Sequence, residues 1–288
     1  MGYLLLFGYY STIWRGRSIV TEKEAFLFDL WGYVVIDGVL SQDQVERANE
    51  AVDHHAALIT NREATLSQGA AELVGETGRG EFQQNPLSFE RPWCEPFRSM
   101  LAHERTIDIF NEILGTGYRL DHGPGLIRMV KGTEGHRLHG GMTFDPSQYH
   151  RFDHGRVQCG LCVAAWQLTE VRPGDGGFAC IPGSHKSNYR PPMEVMRLEA
   201  DWGCVHQVVA PAGSVVIFNE ALVHGTLPWQ PADRERRSIL FKYSPGFLSW
   251  GSPHGSNPIA DPTPEEEALY DSPRRSGRTT LGADATQA

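Results

Sequence analysis

The stretch RVQCGLCVAAWQL, residues 156–168, decides the fold class, because it is the longest of several short β-type segments that follow one another from Leu120 onward. Glycine and proline separate these segments, and no helical pattern alternates with them. This arrangement disfavours a doubly wound parallel sheet and favours a sandwich, a jelly roll or a barrel. The other segments are Gly125–Val130, Gly177–Ile181, Gln207–Ala210, Ser214–Phe218 and Arg237–Tyr243.

Helical patterns come before this β-rich part. Residues 21–30 and 95–114 have helical spacing of apolar residues, and Ser41 is a typical N-cap for a helix that runs to about Ile59. The β-rich residues 32–36 predict a strand between the first two helices. Residues 67–92 are rich in Gly, Glu and Gln and predict a loop or lid.

These patterns predict one domain over residues 1–260, with a helical part at about 21–115 and a β core at about 120–245. Residues 261–288 are rich in Pro, Glu, Arg, Ser and Thr and short of large apolar side chains. Such a composition predicts a disordered tail.

The overall charge excludes one class of partner. The 288 residues include 26 Lys and Arg against 35 Asp and Glu, a formal net charge of −9, so an extended nucleic acid would be repelled. A small anionic ligand in a local basic pocket stays compatible with this charge. The apolar segment Tyr3–Tyr10 is too short to span a bilayer and lacks the flanks of a signal peptide. We expect it to form a strand or helix packed on the core, and we expect no membrane contact.

The five cysteines form neither an even set nor a zinc-binding pattern. Cys159 and Cys162 lie within the apolar run of residues 157–168, so we interpret them as buried structural thiols. This usage predicts a reducing, cytoplasmic setting. The sequence leaves the oligomeric state open.

Three motifs carry the chemistry: Leu138-His139-Gly140-Gly141, Val223-His224-Gly225-Thr226 and Arg236-Arg237-Ser238. Residues i and i+2 of a strand share a face, so a His-x-Asp motif would present an imidazole and a carboxylate to one metal ion. A second histidine would complete the three-ligand face of the non-haem Fe(II) oxygenases. In this chain the i+2 residue is Gly141, which has no side chain to donate.

Together with three further segments, these motifs resemble the phytanoyl-CoA dioxygenase-like Fe(II)/2-oxoglutarate oxygenases. The resemblance covers about residues 21–245 and is carried also by Phe28–Val39, Gly174–Lys186 and Ala212–Phe218. It implies a double-stranded β-helix (jelly-roll, cupin-like) core, iron held by His139 and His224, and molecular oxygen as a co-reactant. It further implies that 2-oxoglutarate chelates the iron while its distal carboxylate pairs with Arg236.

The departure at Gly141 is characteristic of the halogenase branch of this superfamily, in which chloride occupies the position of the missing carboxylate. By this resemblance Gly141 is a catalytic position, and the reaction would transfer chlorine to an unactivated C–H of a small free substrate. The Leu-His-Gly-Gly segment and the chain length resemble the enzymes that chlorinate a deoxyadenosine nucleotide in nucleoside-antibiotic pathways. Four basic residues before or within the motif are candidate phosphate partners: Arg128, Lys131, His136 and Arg137.

Several alternatives stay open at the sequence level. In one alternative, Glu134, Asp145 or Asp153 supplies the carboxylate, and the protein is a 2-oxoglutarate-dependent hydroxylase. Arg237 competes with Arg236, because adjacent strand residues face opposite ways. A cupin-like binding protein without turnover is the third possibility. Candidate pocket residues are Phe144, Trp166, Gln167 and Trp229, and we expect His185 to have a structural role.

Overall fold

The computed structural model describes residues 20–141, 145, 147–251 and 256–282, which form antiparallel sheets flanked by helices. Segment Tyr3–Tyr10 lies outside the described residues. The helices are α1 Glu22–Trp31, α2 Gln42–His54, α3 Glu95–Leu101, α4 Glu104–Ile113, α5 Met193–Met196 and α6 Pro264–Tyr270. The strands are β1 Tyr33–Ile36, β2 Ile59–Asn61, β3 Gly80–Phe82, β4 Arg119–Met129, β5 His136–His139, β6 His150–Asp153, β7 Arg156–Cys159, β8 Cys162–Gln167, β9 Gly177–Cys180, β10 His206–Gln207, β11 Val215–Asn219, β12 His224–Leu227 and β13 Arg236–Ser244.

Two sheets make up the core. The larger has the order β1-β11-β8-β13-β4-β3-β2, and the smaller has the order β10-β9-β12-β5. Strands β6 and β7 form a separate hairpin. The central neighbours β11-β8-β13-β4 of the larger sheet and β9-β12-β5 of the smaller are far apart in sequence, as in a jelly roll. The prediction of a mainly β fold with flanking helices is confirmed.

Strand β11 illustrates why the larger sheet is buried on both faces. Val215 and Ile217 belong to the apolar cluster that the helices cover, whereas Val216 and Phe218 pack in the space between the two sheets. Successive strand residues point to opposite faces, so a continuous apolar run suits a strand covered on both sides. The functional cavity lies on the face that the two sheets share.

The helix predictions are correct in type and differ at the ends. Ser41 caps α2 as expected, and its side chain and that of Gln44 form a reciprocal capping box. The helix ends at His54 rather than near Ile59, because a 3₁₀ turn follows and Ile59 already begins β2.

The strand predictions missed two short strands that matter most for function. The long segment 156–168 is two strands, β7 and β8, which belong to different sheets. Strands β5 and β12 were not predicted, although each carries one of the candidate ligand histidines. Both have only four residues.

The prediction of a disordered tail is wrong for residues 261–282. Thr263 begins α6 with a capping box, and Leu269 is fully buried against the core. The charged residue Glu266 is buried as well, with its carboxylate on the Arg98 guanidinium at 2.7 Å. The composition suggested disorder because a glutamate such as Glu266 is normally exposed to solvent. In the folded protein, Arg98 is the counter-ion that allows Glu266 to be buried.

All five cysteines are free thiols. Four of them are buried, Cys159 and Cys162 included, as expected for structural residues. Within the described ranges, no helix combines the length and the apolar character that crossing a bilayer requires.

Candidate active site

His139 and His224 lie side by side in the smaller sheet. His139 ends β5, His224 begins β12, and the two are direct partners across this antiparallel pair. Their ring centroids are 4.3 Å apart. Both rings line a cavity of about 340 Å³ between the two sheets. The fold therefore brings together two histidines that are 85 positions apart in the sequence.

Backbone carbonyls orient both rings in the same way. His139 Nδ1 is 3.1 Å from the Arg137 carbonyl oxygen, and His224 Nδ1 is 2.7 Å from that of Leu222. Each Nδ1 therefore donates a hydrogen, which leaves the Nε2 lone pair available to a metal ion. Burial lowers the pKa of both imidazoles below the usual value, so both are neutral, as metal ligation requires.

The two glycines after His139 have different physical causes. A Cβ at Gly140 would lie 2.6 Å from the Leu222 carbonyl oxygen, so the backbones approach too closely for any side chain. Among the residues that the structure describes, a Cβ at Gly141 would contact only Val223 Cγ2, at 3.6 Å, which is an ordinary distance. The backbone at Gly141 has φ +103°, however, which strains any other residue. At Gly141 there is thus space for a side chain, but the positive φ favours glycine.

The three carboxylates suggested by the sequence are engaged elsewhere. Glu134 accepts hydrogen bonds from the amides of Leu66 and Ser67. Asp145 accepts from the Ser147 amide and from Trp250 Nε1. Asp153 is exposed on the β6–β7 hairpin. None of the three lines the cavity.

The sequence analysis missed a carboxylate that does line the cavity, Glu220. It lies in the turn between β11 and β12, and its Oε2 is 3.8 Å from His224 Nε2. Its Oε1 is 2.6 Å from Lys242 Nζ. Burial would raise the pKa of Glu220, but the Lys242 ammonium group lowers it to about 2, so the carboxylate is ionised. Its spacing from His224 was not sufficient to identify Glu220, because its cationic partner Lys242 comes from another strand.

Arg236 faces the same cavity from the first position of β13. It is only 2% exposed, and its Nη1 contacts Met129 Sδ at 3.5 Å. Its Nε has no hydrogen-bond partner among the described residues. Burial, assisted by the nearby charge of Arg79, lowers its pKa to about 10, which still leaves it charged. A buried guanidinium with an unused donor fits a carboxylate ligand.

Arg237 points to the opposite side of the sheet. Its guanidinium pairs with Asp53 at 2.5 Å and also contacts Glu235 and Asn49. Neighbouring arginines thus have different environments, as strand alternation requires. Of the two candidates, Arg236 is the one that reaches the cavity.

The other predicted site residues divide in the same way. His136 lines the cavity, but burial lowers its pKa to about 3, so it carries no charge at neutral pH. Arg128 pairs with Glu235 at 2.6 Å, and Lys131 is exposed. Trp166, Gln167 and Trp229 are buried but do not line the cavity, and Phe144 lies outside the described residues. His185 donates through Nε2 to the Asp29 carbonyl oxygen at 2.9 Å, a structural contact.

The donor set suits a metal ion that keeps open positions. Two neutral imidazoles are favoured ligands of ferrous iron, and Arg236 offers a separate anchor for an anion. Within the described part of the chain, no three histidine, cysteine or acidic side chains are arranged to hold a metal together. The structure therefore presents a histidine pair rather than a complete triad.

The family follows from a comparison with known sequences. A model described as phytanoyl-CoA dioxygenase (PhyH) matches residues 28–238. The chain belongs to this family. The matched range includes His139, His224 and Arg236, and it makes the protein an Fe(II)/2-oxoglutarate-dependent oxygenase by type. No curated protein matches the chain.

Solved structures with the same fold confirm the predicted jelly roll. HygX from Streptomyces hygroscopicus, with nickel and 2-oxoglutarate bound, is 23% identical over 91% of this chain and 96% of its own, with a TM-score of 0.62. Its complex that also holds hygromycin B has 20% identity, a TM-score of 0.64 and coverage of 91% and 97%. The α-ketoglutarate-dependent carbocyclase SnoK from nogalamycin biosynthesis is 16% identical, with a TM-score of 0.56 and coverage of 79% and 85%. At these identities the likeness concerns the fold.

Proposed function

We propose that this protein is an Fe(II)- and 2-oxoglutarate-dependent halogenase that chlorinates an unactivated C–H bond of a small free substrate. One observation carries the proposal: two neutral histidines share a cavity with a buried arginine, and glycine stands at the position where an acidic ligand would follow His139. Iron and 2-oxoglutarate are proposed because the chain belongs to the PhyH family, and a halide is proposed because residue 141 is glycine.

Each residue then has a role that its environment supports. His139 and His224 would hold iron through Nε2, and Arg236 would pair with the distal carboxylate of 2-oxoglutarate. Bound iron, with 2-oxoglutarate and molecular oxygen, supplies the oxidising power that removes hydrogen from carbon. Gly141 would leave room for chloride, and its missing carboxylate removes a negative charge that would repel the anion.

The charge of the cavity agrees with anionic ligands. Arg79, Arg236 and Lys242 line it, against the acidic residues Glu81 and Glu220. The aromatic rings of Phe178 and Phe218 pack against His224, with centroids at 5.8 and 4.9 Å, and shield the site from water. A cavity of about 340 Å³ suits 2-oxoglutarate with part of a small metabolite. A deoxyadenosine nucleotide is our first candidate substrate. Arg79 lines the cavity as a candidate partner for its phosphate, and the Arg79 Nε also pairs with Glu81 at 2.6 Å.

A 2-oxoglutarate-dependent hydroxylase is the second candidate, favoured by Glu220. Its carboxylate lies 3.8 Å from His224 Nε2 and would replace the acid missing at Gly141 if it reached the metal.

The mass of the product distinguishes the halogenase from the hydroxylase. The protein would be incubated with Fe(II), 2-oxoglutarate, oxygen, chloride and a panel of deoxynucleotides and other small metabolites. A product with the chlorine isotope pattern supports the halogenase, whereas hydroxylated product alone contradicts it. Succinate release that depends on substrate excludes a binding protein without turnover.

Substitution of Gly141 tests the open position directly. We expect Gly141→Asp to abolish chlorination, because a carboxylate would compete with chloride for the same position. Gly141→Ala is the matched control: it imposes the same backbone strain at φ +103° but adds no ligand. The expected result is that Ala retains a larger share of chlorinated product than Asp. Equal chlorination by the Asp variant and the parent would contradict the role given to Gly141.

A further inference from the structure

Glu220, which is buried, and Lys242, which is partly exposed, form an ion pair that lines the cavity next to the candidate ligand histidines. The backbone amide of Glu220 donates to the Leu161 carbonyl oxygen at 2.9 Å, which fixes the start of the turn that leads to His224. Lys242 lies on β13, whose residue Ile239 is buried in the core and anchors the strand. Two different elements therefore position the pair.

The two oxygens of Glu220 have different surroundings. Oε1 accepts a hydrogen bond from Lys242 Nζ at 2.6 Å, whereas Oε2 faces His224 Nε2 at 3.8 Å. Metal ions bind nitrogen and carboxylate oxygen at about 2.0–2.2 Å, so two donors of one ion lie no more than about 4.4 Å apart. The Oε2–Nε2 distance is within that limit. A small rotation of the Glu220 side chain would bring Oε2 to an ion held by His224.

Lys242 restrains this movement. Its ammonium group is the cation on Glu220, and it also lies 5.8 Å from the ring of Trp250, which limits where it can go. If Glu220 moved to the metal, its hydrogen bond to Lys242 would weaken. The polar side chains that face Glu220 are the Lys242 ammonium group from β13 and the neutral imidazoles of His224 from β12 and His139 from β5.

We propose that Lys242 holds Glu220 back, and that this ion pair decides whether the Glu220 carboxylate or a dissolved halide takes the free position beside His139 and His224. This inference rests on the proposed function, and it identifies Glu220 and Lys242 as the pair that determines whether a halide or a carboxylate binds the metal. With Glu220 held by Lys242, the position is open to chloride. With Glu220 released, the protein supplies its own acidic ligand and the site resembles that of a hydroxylase.

The test measures halide binding without turnover. Co(II) replaces iron, oxygen is excluded, and chloride or bromide is titrated while the visible spectrum of the cobalt is recorded. We expect Glu220→Gln to bind halide about tenfold more tightly than the parent, because a competing ligand is lost. We expect Lys242→Met to bind halide about tenfold more weakly, because Glu220 is free to reach the metal. The double variant Glu220→Gln/Lys242→Met should bind halide like Glu220→Gln alone.

Glu266→Gln is the matched control, since it makes the same change to a buried glutamate whose ion pair does not line the cavity. Thermal melting of every variant identifies loss of folding, and the double variant leaves no unpaired charge of this pair in the cavity. Equal halide affinity in the parent and the three cavity variants would overturn the role of the pair and leave the halogenase standing. A halide response in Glu220→Gln but not in the parent would overturn the halogenase and leave the competition standing. No response in any variant would overturn both.

Discussion

At the scale of single residues, neighbouring arginines give the sharpest contrast in this chain. Arg236 is buried in the cavity wall with an unused donor, whereas Arg237 is paired with Asp53 on the other face. We expect Arg236→Gln to weaken 2-oxoglutarate binding by about 2–5 kcal/mol, because a buried charge pair with the ligand is lost. Calorimetry on the Ni(II)-loaded protein measures this change.

Arg237→Gln is the control for that prediction. It should leave 2-oxoglutarate affinity unchanged and cost about 1 kcal/mol or less of stability, as a partly exposed ion pair does. Arg236→Gln should not lower the melting temperature of the ligand-free protein, since it removes a buried cation that has no acidic partner. Equal loss of affinity in both variants would show that neither arginine contacts the ligand directly.

At the residue scale, the sequence analysis depended on local motifs. His139, His224 and Arg236 each stand in a short segment whose neighbours single it out, and the structure places all three on one cavity. Their roles as ligands stay predictions. Glu220 escaped because its significance depends on Lys242, which lies on another strand. Its position four residues before His224 was the available signal, but only the turn after β11 directs both side chains into one cavity.

At the scale of elements, α6 shows what composition cannot detect. The helix carries three consecutive glutamates, yet Glu266 is neutralised by Arg98 and Leu269 fills the core. We expect Leu269→Ala to lower the free energy of unfolding by about 2–4 kcal/mol, since it leaves a cavity. Glu265→Gln on the exposed side of the helix should change stability by less than about 1 kcal/mol. Urea unfolding measures both, and a negligible effect of Leu269→Ala would mean that the helix does not dock.

The elements also show why the sheet was easier to predict than the site. Strands β8, β11 and β13 have apolar runs long enough to identify, and they form the centre of the larger sheet. Strands β5 and β12 have four residues and one leucine each, so neither shows an apolar run. Their pairing through His139 and His224 joins segments that are far apart in the chain. Their strand conformation comes from tertiary pairing, which a local pattern cannot indicate.

At the scale of the whole molecule, the cavity joins both sheets, so its occupants should stabilise the entire fold. The histidines belong to the smaller sheet, whereas Arg236 and Lys242 belong to the larger one. A ligand that contacts both sheets binds only the folded state, and at 100 times its dissociation constant it contributes about 2.7 kcal/mol. For a domain of this size we expect a rise in melting temperature of roughly 5 °C when 2-oxoglutarate is added to the Ni(II)-loaded protein.

The order of addition makes this prediction specific. 2-Oxoglutarate should raise the melting temperature strongly only when the metal is already bound. One end of the molecule needs the metal ion as its partner, and the other end needs Arg236. Glutarate keeps the distal carboxylate but lacks the keto group, so its effect should be much smaller. His139→Ala should remove the metal-dependent part of the shift and leave the melting temperature of the metal-free protein similar. If 2-oxoglutarate stabilised the metal-free protein as much as the loaded one, it would bind without the ion, and the two-sheet site inferred from His139, His224 and Arg236 would be wrong.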